Sequence, residues 1–148
     1  MPPRTGPDAA ALPGALTRRA GARVLVVDPD PDARTILTDL LRHDGYRVCG
    51  VSTAGDAVRV AREVVPDAII GELDSPDDER CLPLALTSEL GREVPMLVYS
   101  AWSFPEDRER ALECGARAFL PKPSPFDRIV DLMHGLTAGA RGAAQRGD

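Results

Sequence analysis

The sequence alternates strictly between short apolar runs and longer segments of helical periodicity. Runs this short cannot form helices and are typical of strands that are buried on both faces. Because right-handed crossovers between parallel strands place helices on both faces of a sheet, the alternation predicts a doubly wound α/β fold. Five strands with five helices suit the flavodoxin-like order 2-1-3-4-5. The five runs are Val24–Val27, Arg47–Val51, Ala68–Ile70, Met96–Ser100 and Ala118–Leu120.

Capping residues and prolines predict where the helices begin. Asp30 can cap the first helix, with a proline at the first helical position, and Thr53 can cap the second. The third is predicted over Leu82–Leu90, and Ser103 is the predicted cap of the fourth. The last opens at the Ser-Pro pair before Phe126. The predicted buried faces include Ile36, Leu37, Leu40 and Leu41 in the first helix, and Phe126, Ile129, Val130 and Met133 in the last.

Composition predicts one globular domain with an extension at each end. The 148 residues are 43% apolar and 28% charged, which is close to globular averages. We expect residues 1–21, which are rich in proline and glycine, to be a disordered leader. Residues 22–136 should form the domain and residues 137–148 a flexible tail. No apolar run approaches the ~18 residues of a membrane span, so we expect a cytoplasmic protein without membrane contact.

The charged residues argue against a nucleic-acid partner and single out one lysine. The net charge is −5, whereas binding to a phosphate backbone needs a clustered basic face. Of the 18 basic residues, Lys122 is the only lysine. Arginine and lysine replace each other on most surfaces, but not where a compact, flexible ammonium is required. The pattern therefore favours a functional role for Lys122 over a place on the solvated surface.

Acidic residues follow two of the predicted strands. Asp28 ends the first strand and Glu72 ends the third. In open α/β sheets, ligands bind beyond the carboxyl ends of the strands at the point where the strand order reverses, which here lies between strands one and three. We therefore predict a site at Glu72, within an acidic pocket that also contains Asp28, Asp30 and Asp74. The alternative for Glu72 and Asp74 is that they are solvated loop acids.

Two aromatic residues flank the start of the fourth predicted helix. Trp102 and Phe104 could belong to the core, but the loop that carries them is short, so we expect at least one of them to be exposed. Exposed tryptophan is often an anchor in protein interfaces. Trp102 and Phe104 are therefore predicted to contact a partner protein.

The order of these residues along the chain resembles the receiver domain of bacterial response regulators, over about residues 22–136. In that family, two adjacent acids after the first strand and an aspartate after the third bind magnesium, and a histidine kinase phosphorylates that aspartate. By position, the resemblance implies that Glu72 occupies the phosphoacceptor position. Ser100, Phe119 and Lys122 are then the switch residues that respond to the phosphate. The matching motifs are Val26-Val27-Asp28, Pro66-Asp67, Glu72, Pro76, Ser100-Ala101, Phe119 and Lys122-Pro123.

Two departures from the family pattern indicate a degenerate site. Pro29 stands where the family has its second acid, and Glu72 stands where it has the phosphorylated aspartate. Magnesium requires near-ideal octahedral oxygen geometry, so we expect no bound metal and no other cofactor. The carboxylate of glutamate lies one methylene further out, which displaces it from in-line attack on a phosphoryl donor. We expect Glu72 to imitate a phosphorylated aspartate in part, because it supplies a permanent negative charge.

The sequence thus predicts a stand-alone, atypical receiver that is not an enzyme and that signals independently of phosphorylation in a two-component or phosphorelay-type pathway. The expected partner is a histidine kinase or a downstream signalling protein, with a homodimer possible through the face of helix four, strand five and helix five.

Two alternatives remain open. One is a conventional phosphoacceptor at Asp74 or in the Asp28/Asp30 region. The other is a haloacid-dehalogenase-like phosphatase, because Asp28-Pro29-Asp30 resembles the nucleophile motif of that family. Asp32 argues against the phosphatase, since a threonine is expected at its position.

Overall fold

A computed structural model describes residues 21–72, 82–102 and 104–147, and the side chains of these ranges as far as residue 138. This part of the chain contains a five-stranded parallel sheet in the order β2-β1-β3-β4-β5, which confirms the predicted topology. Each strand lies within one residue of its predicted bounds. The strands are β1 (Arg23–Val27), β2 (Arg47–Val51), β3 (Ala68–Gly71), β4 (Met96–Ser100) and β5 (Ala118–Pro121).

The described residues also form five helices, four between consecutive strands and one after β5: α1 (Pro31–His43), α2 (Ala54–Glu63), α3 (Leu82–Leu90), α4 (Pro105–Glu113) and α5 (Phe126–Gly147). The side chains of Asp30 and Thr53 cap α1 and α2 as predicted, each accepting a backbone N–H. Ser103, the predicted cap of α4, lies outside the described ranges. In the described residues the helix begins after Phe104, whose N–H donates to the Asp107 carboxylate at 3.0 Å. Pro105 sets this boundary, because its fixed φ suits the first helical position.

The core consists of two apolar clusters, one on each face of the sheet, because successive side chains of a strand point to opposite faces. One cluster lies under α1 and α5 and the other under α2, α3 and α4. Ile36 and Phe126 are half exposed, against prediction. The helical period turns Leu37 and Leu41 toward the sheet and leaves Ile36 beside solvent.

The last helix is longer than the sequence predicts. It continues to Gly147, whereas a flexible tail was expected from Thr137 onward. Thr137 is buried, and its hydroxyl lies 3.0 Å from the phenol oxygen of Tyr46 and donates to the carbonyl of Met133 at 2.8 Å. These hydrogen bonds fix the helix on the turn after α1 and carry it past the predicted boundary at residue 136. The residues of the predicted leader up to 20 lie outside the described part of the chain.

The two edges of the sheet differ in how their outward polar groups are used. The N–H of Arg47 and the carbonyl of Val51 bond toward β1, so the carbonyl of Val48 points away from the sheet. Arg42 donates to that carbonyl at 3.0 Å. On the opposite edge, β5 ends at Pro121, which has no N–H to offer.

None of the helices in the described ranges combines the length and the apolar character that a bilayer span requires.

Candidate functional site

Asp28 and Glu72 lie side by side at the carboxyl edge of the sheet, as predicted. Val27 and Gly71 are register partners in β1 and β3, and the N–H of Glu72 donates to the Val27 carbonyl at 3.0 Å. A Cβ atom at position 71 would lie 3.0 Å from the Val27 carbonyl oxygen and from its Cβ, so a residue larger than glycine would push the two strands apart by a few tenths of an ångström. The two carboxylates therefore leave the sheet from adjacent, closely packed strands.

Lys122 joins the two carboxylates. Its Nζ lies 2.7 Å from Oδ2 of Asp28 and 2.5 Å from Oε2 of Glu72. The side chains are 18%, 2% and 14% exposed for Lys122, Asp28 and Glu72 respectively, so the group is largely removed from solvent. The backbone N–H of Lys122 donates to the Ser100 carbonyl at 2.9 Å, which fixes the start of the loop after β5. The sequence prediction that Lys122 has a special place is consistent with this geometry.

The aromatic ring of Tyr99 lies beneath the Lys122 ammonium. Nζ of Lys122 lies 5.5 Å from the centroid of its ring, a distance typical of a cation–π contact. Tyr99 is almost fully buried, and its hydroxyl accepts a hydrogen bond from the Ser124 N–H at 3.3 Å. The sequence indicated only that Tyr99 lies in a buried strand. Its hydroxyl could have indicated a polar contact, because a buried phenol needs a hydrogen-bond partner.

The pKa of Lys122 reflects opposing influences. Burial is the largest single one and lowers the pKa, but hydrogen bonds and charge attraction from Asp28 and Glu72 together outweigh it. The pKa of Lys122 is therefore held above its usual value. At neutral pH the site contains a charged ammonium between two acidic side chains.

Asp30, another acid of the predicted pocket, takes part in the site through its backbone and not through its carboxylate. The N–H of Asp30 donates to Oδ1 of Asp28 at 2.9 Å, while the Asp30 carboxylate accepts from the Asp32 N–H as the cap of α1. Arg34, which the sequence analysis did not single out, donates to the Asp28 carbonyl at 2.8 Å. Asp30 thus supports Asp28 through its backbone, and Asp74 lies outside the described residues.

The switch residues are divided between two environments. Ser100 is fully buried, and its hydroxyl accepts from the Trp102 N–H at 3.0 Å, so this hydrogen bond is directed at the β4–α4 loop. Phe119 is partly buried and packs against the apolar cluster under α2, α3 and α4. It also lines an open groove of about 510 Å³ between α4, β5 and α5. Trp102 and Phe104 are 47% and 64% exposed, so both of the predicted contact residues face solvent.

The donor set does not fit the magnesium ion that the family resemblance implies. The facing oxygens of Asp28 and Glu72 both bond to the Lys122 ammonium, and the other oxygen of Asp28 is bonded to a backbone N–H. Pro29 supplies no carboxylate. Within the ranges that the structure describes, no group of three histidine, cysteine or acidic side chains is placed to hold a metal. While the Lys122 ammonium holds these oxygens, the residues present do not offer the octahedral oxygen coordination that magnesium requires.

Comparison with known proteins identifies relatives over most of the chain. The family model "Response regulator receiver domain" matches residues 24–134. The transcriptional regulatory protein PrrA of Mycobacterium tuberculosis is 37% identical over 114 residues, which are 77% of this chain and 49% of PrrA. The transcriptional regulatory protein ZraR of Salmonella typhimurium is 33% identical over 118 residues, which are 80% of this chain and 27% of ZraR. The chain thus spans half or less of these curated relatives.

A solved structure agrees with this family match. The receiver domain of a signal transduction histidine kinase from Syntrophus aciditrophicus superposes with a TM-score of 0.71 at 27% identity. The superposition covers 80% of this chain and 92% of that domain. The match favours the receiver interpretation over the phosphatase alternative.

Replacing Lys122 by methionine should lower the free energy of unfolding by about 3 kcal/mol, because two largely buried carboxylates would lose their shared cation. Arg117→Met is the matched control. It breaks a solvent-exposed pair with Glu93, and its loss of stability should be much smaller than that of Lys122→Met. Urea denaturation at neutral pH measures both losses. Equal losses in the two variants would show that burial adds nothing to the Lys122 interactions.

The contribution of Lys122 should vanish only in strong alkali. Because its pKa is raised in the folded protein, the stabilisation is fully present below the ordinary lysine value of about 10.4 and is lost as the pH rises through the higher folded value. The difference in unfolding free energy between the unmodified protein and Lys122→Met should therefore stay constant from about pH 7 to about pH 10 and shrink above that. Denaturation curves across this range test the expectation. A difference that already falls near neutral pH would contradict it.

Proposed function

The chain belongs to the response regulator receiver domain family, whose members act in two-component signalling, and from that premise we propose that it is an atypical receiver that signals without being phosphorylated. In this proposal, Glu72 replaces the phosphorylated aspartate. It pairs permanently with Lys122 and holds the domain in one signalling state. The observation that carries the proposal is the Lys122 ammonium, which is bonded to Glu72 and Asp28 at the same time.

The geometry of Glu72 supports a loss of phosphoacceptor chemistry. A nucleophile must approach the phosphoryl donor in line, and small displacements cost large factors in rate. The Glu72 carboxylate extends one methylene beyond the position of an aspartate, and one of its oxygens is engaged by Lys122 at 2.5 Å. Phosphoryl transfer also relies on metal ions to neutralise developing charge, and the donors around Glu72 do not suit magnesium. Both properties disfavour transfer to Glu72.

The same geometry supports a fixed state of the lysine. In receivers, the phosphate anion draws in the hydroxyl after β4 and the lysine after β5. Here Glu72 supplies an anion without modification, and Lys122 is already drawn onto it. The hydroxyl of Ser100 is bonded to Trp102 instead. We therefore propose that Glu72 engages the lysine half of the switch, while the hydroxyl keeps the β4–α4 loop in place.

Signalling would then proceed through protein contacts on the side of the domain that the lysine and this loop support. Trp102 and Phe104 present exposed aromatic surface at the start of α4, and aromatic side chains are frequent anchors in protein interfaces. The groove between α4, β5 and α5 continues this surface, with Arg108 and Arg128 among its lining residues. We propose that this face binds a histidine kinase, a downstream signalling protein or a second copy of the chain.

Incubation with acetyl phosphate and magnesium should add no stable phosphoryl group to the protein, because neither a positioned nucleophile nor a fitting metal site is available. Intact-protein mass spectrometry measures the addition, with a conventional receiver treated in parallel as the positive control. A gain of one phosphoryl group would overturn the proposal. Fragment mapping would then distinguish Glu72 from the alternative acceptor Asp74.

Glu72→Gln should loosen the loop after β5, because the variant keeps the size of the side chain but removes one of the two charges that hold Lys122. We expect amide hydrogen exchange at Lys122 and Ser124 to become about tenfold faster, the effect of removing the negative charge from one charge-assisted hydrogen bond. Two-dimensional NMR measures this residue by residue. The matched control is Glu89→Gln, which breaks an exposed pair with Arg62 and should leave these amides unchanged.

Lys122→Ala should act in the same direction as Glu72→Gln. The free energy of opening the loop after β5 should fall by less in the double variant than the sum of its falls in the two single variants, because both changes break the same interaction. If a folded Glu72→Gln protein exchanges like the original, the face is a rigid scaffold and the charge of Glu72 is irrelevant to its state.

A further inference from the structure

We infer that the Lys122 ammonium is a built-in cation that takes the position of a divalent metal, and that shortening this one side chain would turn the same two carboxylates into a divalent-cation site. The inference deepens the proposed function and rests on it for the identity of the site. It makes a separate claim, however, because it concerns the cation between Asp28 and Glu72 and not the transfer of a phosphoryl group.

The first support is the direction of the carboxylate oxygens. Oδ2 of Asp28 and Oε2 of Glu72 come from adjacent strands and converge on one point, which Nζ of Lys122 occupies at 2.7 and 2.5 Å. A metal ion bridging the two side chains would need Oδ2 of Asp28, because Oδ1 is already bonded to the Asp30 N–H. The ammonium and the metal therefore compete for one position and exclude each other.

The second support is the way in which the ammonium is held. The N–H of Lys122 is bonded to the Ser100 carbonyl, and the loop that follows is pinned by Ser124, which donates to the Pro121 carbonyl and to the Tyr99 hydroxyl. The ring of Tyr99 lies beneath Nζ at 5.5 Å. A tethered, preoriented cation competes with a dissolved ion at a high effective concentration. Magnesium also gives up its water molecules reluctantly, which weakens it further as a competitor.

The third support is the balance of charge. Two carboxylates face the Lys122 ammonium, and Asp28 is 2% exposed, whereas the nearby Arg34 guanidinium bonds to the Asp28 carbonyl and not to either carboxylate. Removing the ammonium would leave two adjacent, largely buried carboxylates without a shared cation, which is a strongly unfavourable arrangement. Magnesium commonly binds through one or two carboxylates and completes its shell with water. Alanine at position 122 would leave room for the ion and this water.

The experiment is a titration of the full chain with MgCl2 and with MnCl2 against NaCl of equal ionic strength, without any phosphoryl donor. Thermal unfolding is one readout. The other is the fluorescence of Trp102, the only tryptophan of the sequence, whose backbone N–H donates to the Ser100 hydroxyl beside the site. The original protein should show no saturable response. Lys122→Ala should gain a saturable rise of several degrees in melting temperature, because a ligand that binds only the folded state stabilises it.

Two controls identify the origin of that response. Adding Asp28→Asn to Lys122→Ala should abolish the rise, since one of the two ligands is lost. Arg117→Ala also frees a carboxylate, that of Glu93, but an exposed one, and should gain no response. If Lys122→Ala is unfolded in NaCl, refolding by the divalent ions is followed by circular dichroism, and Lys122→Gln is titrated alongside it.

The possible results separate the inference from the proposed function. A saturable response of the original protein overturns the inference, as does the absence of any response or refolding in both Lys122 variants. A protein that binds magnesium but takes up no phosphoryl group would contradict only the inference. A protein that ignores magnesium but becomes phosphorylated would contradict only the proposed function.

Discussion

The Lys122 ammonium links chain segments that follow strands which are not neighbours in the sheet. β5 lies two strands away from β3 and three from β1, with β4 between β5 and β3. Lys122, which follows β5, nevertheless reaches Glu72 at the end of β3 and Asp28 at the end of β1, and it crosses the ring of Tyr99 on the way. Hydrogen bonds within the sheet join only neighbouring strands, so this contact adds a link at the carboxyl edge that backbone pairing cannot provide.

The arrangement of the remaining site residues depends on that link. The lysine can reach both carboxylates because its backbone is fixed on the end of β4 through Ser100. Ser100 in turn positions Trp102 through its hydroxyl, and thereby the loop that leads into α4. The charged cluster and the exposed aromatic surface are thus connected through two hydrogen bonds on one residue. A change in the cluster has a short physical route to the surface.

Local patterns in the sequence were sufficient to predict the strand bounds and two helix caps, because periodicity and capping are properties of neighbouring residues. The sheet order was predicted from the fold-level rule that strictly alternating strands and helices form a doubly wound parallel sheet. One departure from the prediction, the continuation of α5, involves a distant contact, whereas the exposure of Ile36 follows from the helical period. Thr137 continues α5 because its hydroxyl meets Tyr46, a residue far away in the sequence, and no local signal encodes that meeting. The pair of Lys122 with Glu72 was predictable, since a unique lysine and a strand-ending acid suggest each other. The contact with Tyr99 and the direction of the Ser100 hydroxyl follow from side-chain rotamers and could not be predicted from spacing.

The edges of the sheet have a consequence for how copies of this protein can associate. A neighbouring chain could extend the sheet at β2 only by displacing the Arg42 guanidinium from the outward carbonyl of Val48. At β5 it would meet Pro121, which cannot donate to a ladder of backbone hydrogen bonds. Both devices discourage continuous β-sheet growth, the route by which exposed strands form fibres and runaway aggregates. Any self-association of the domain is therefore directed toward contacts between side chains, which can close after two copies instead of propagating.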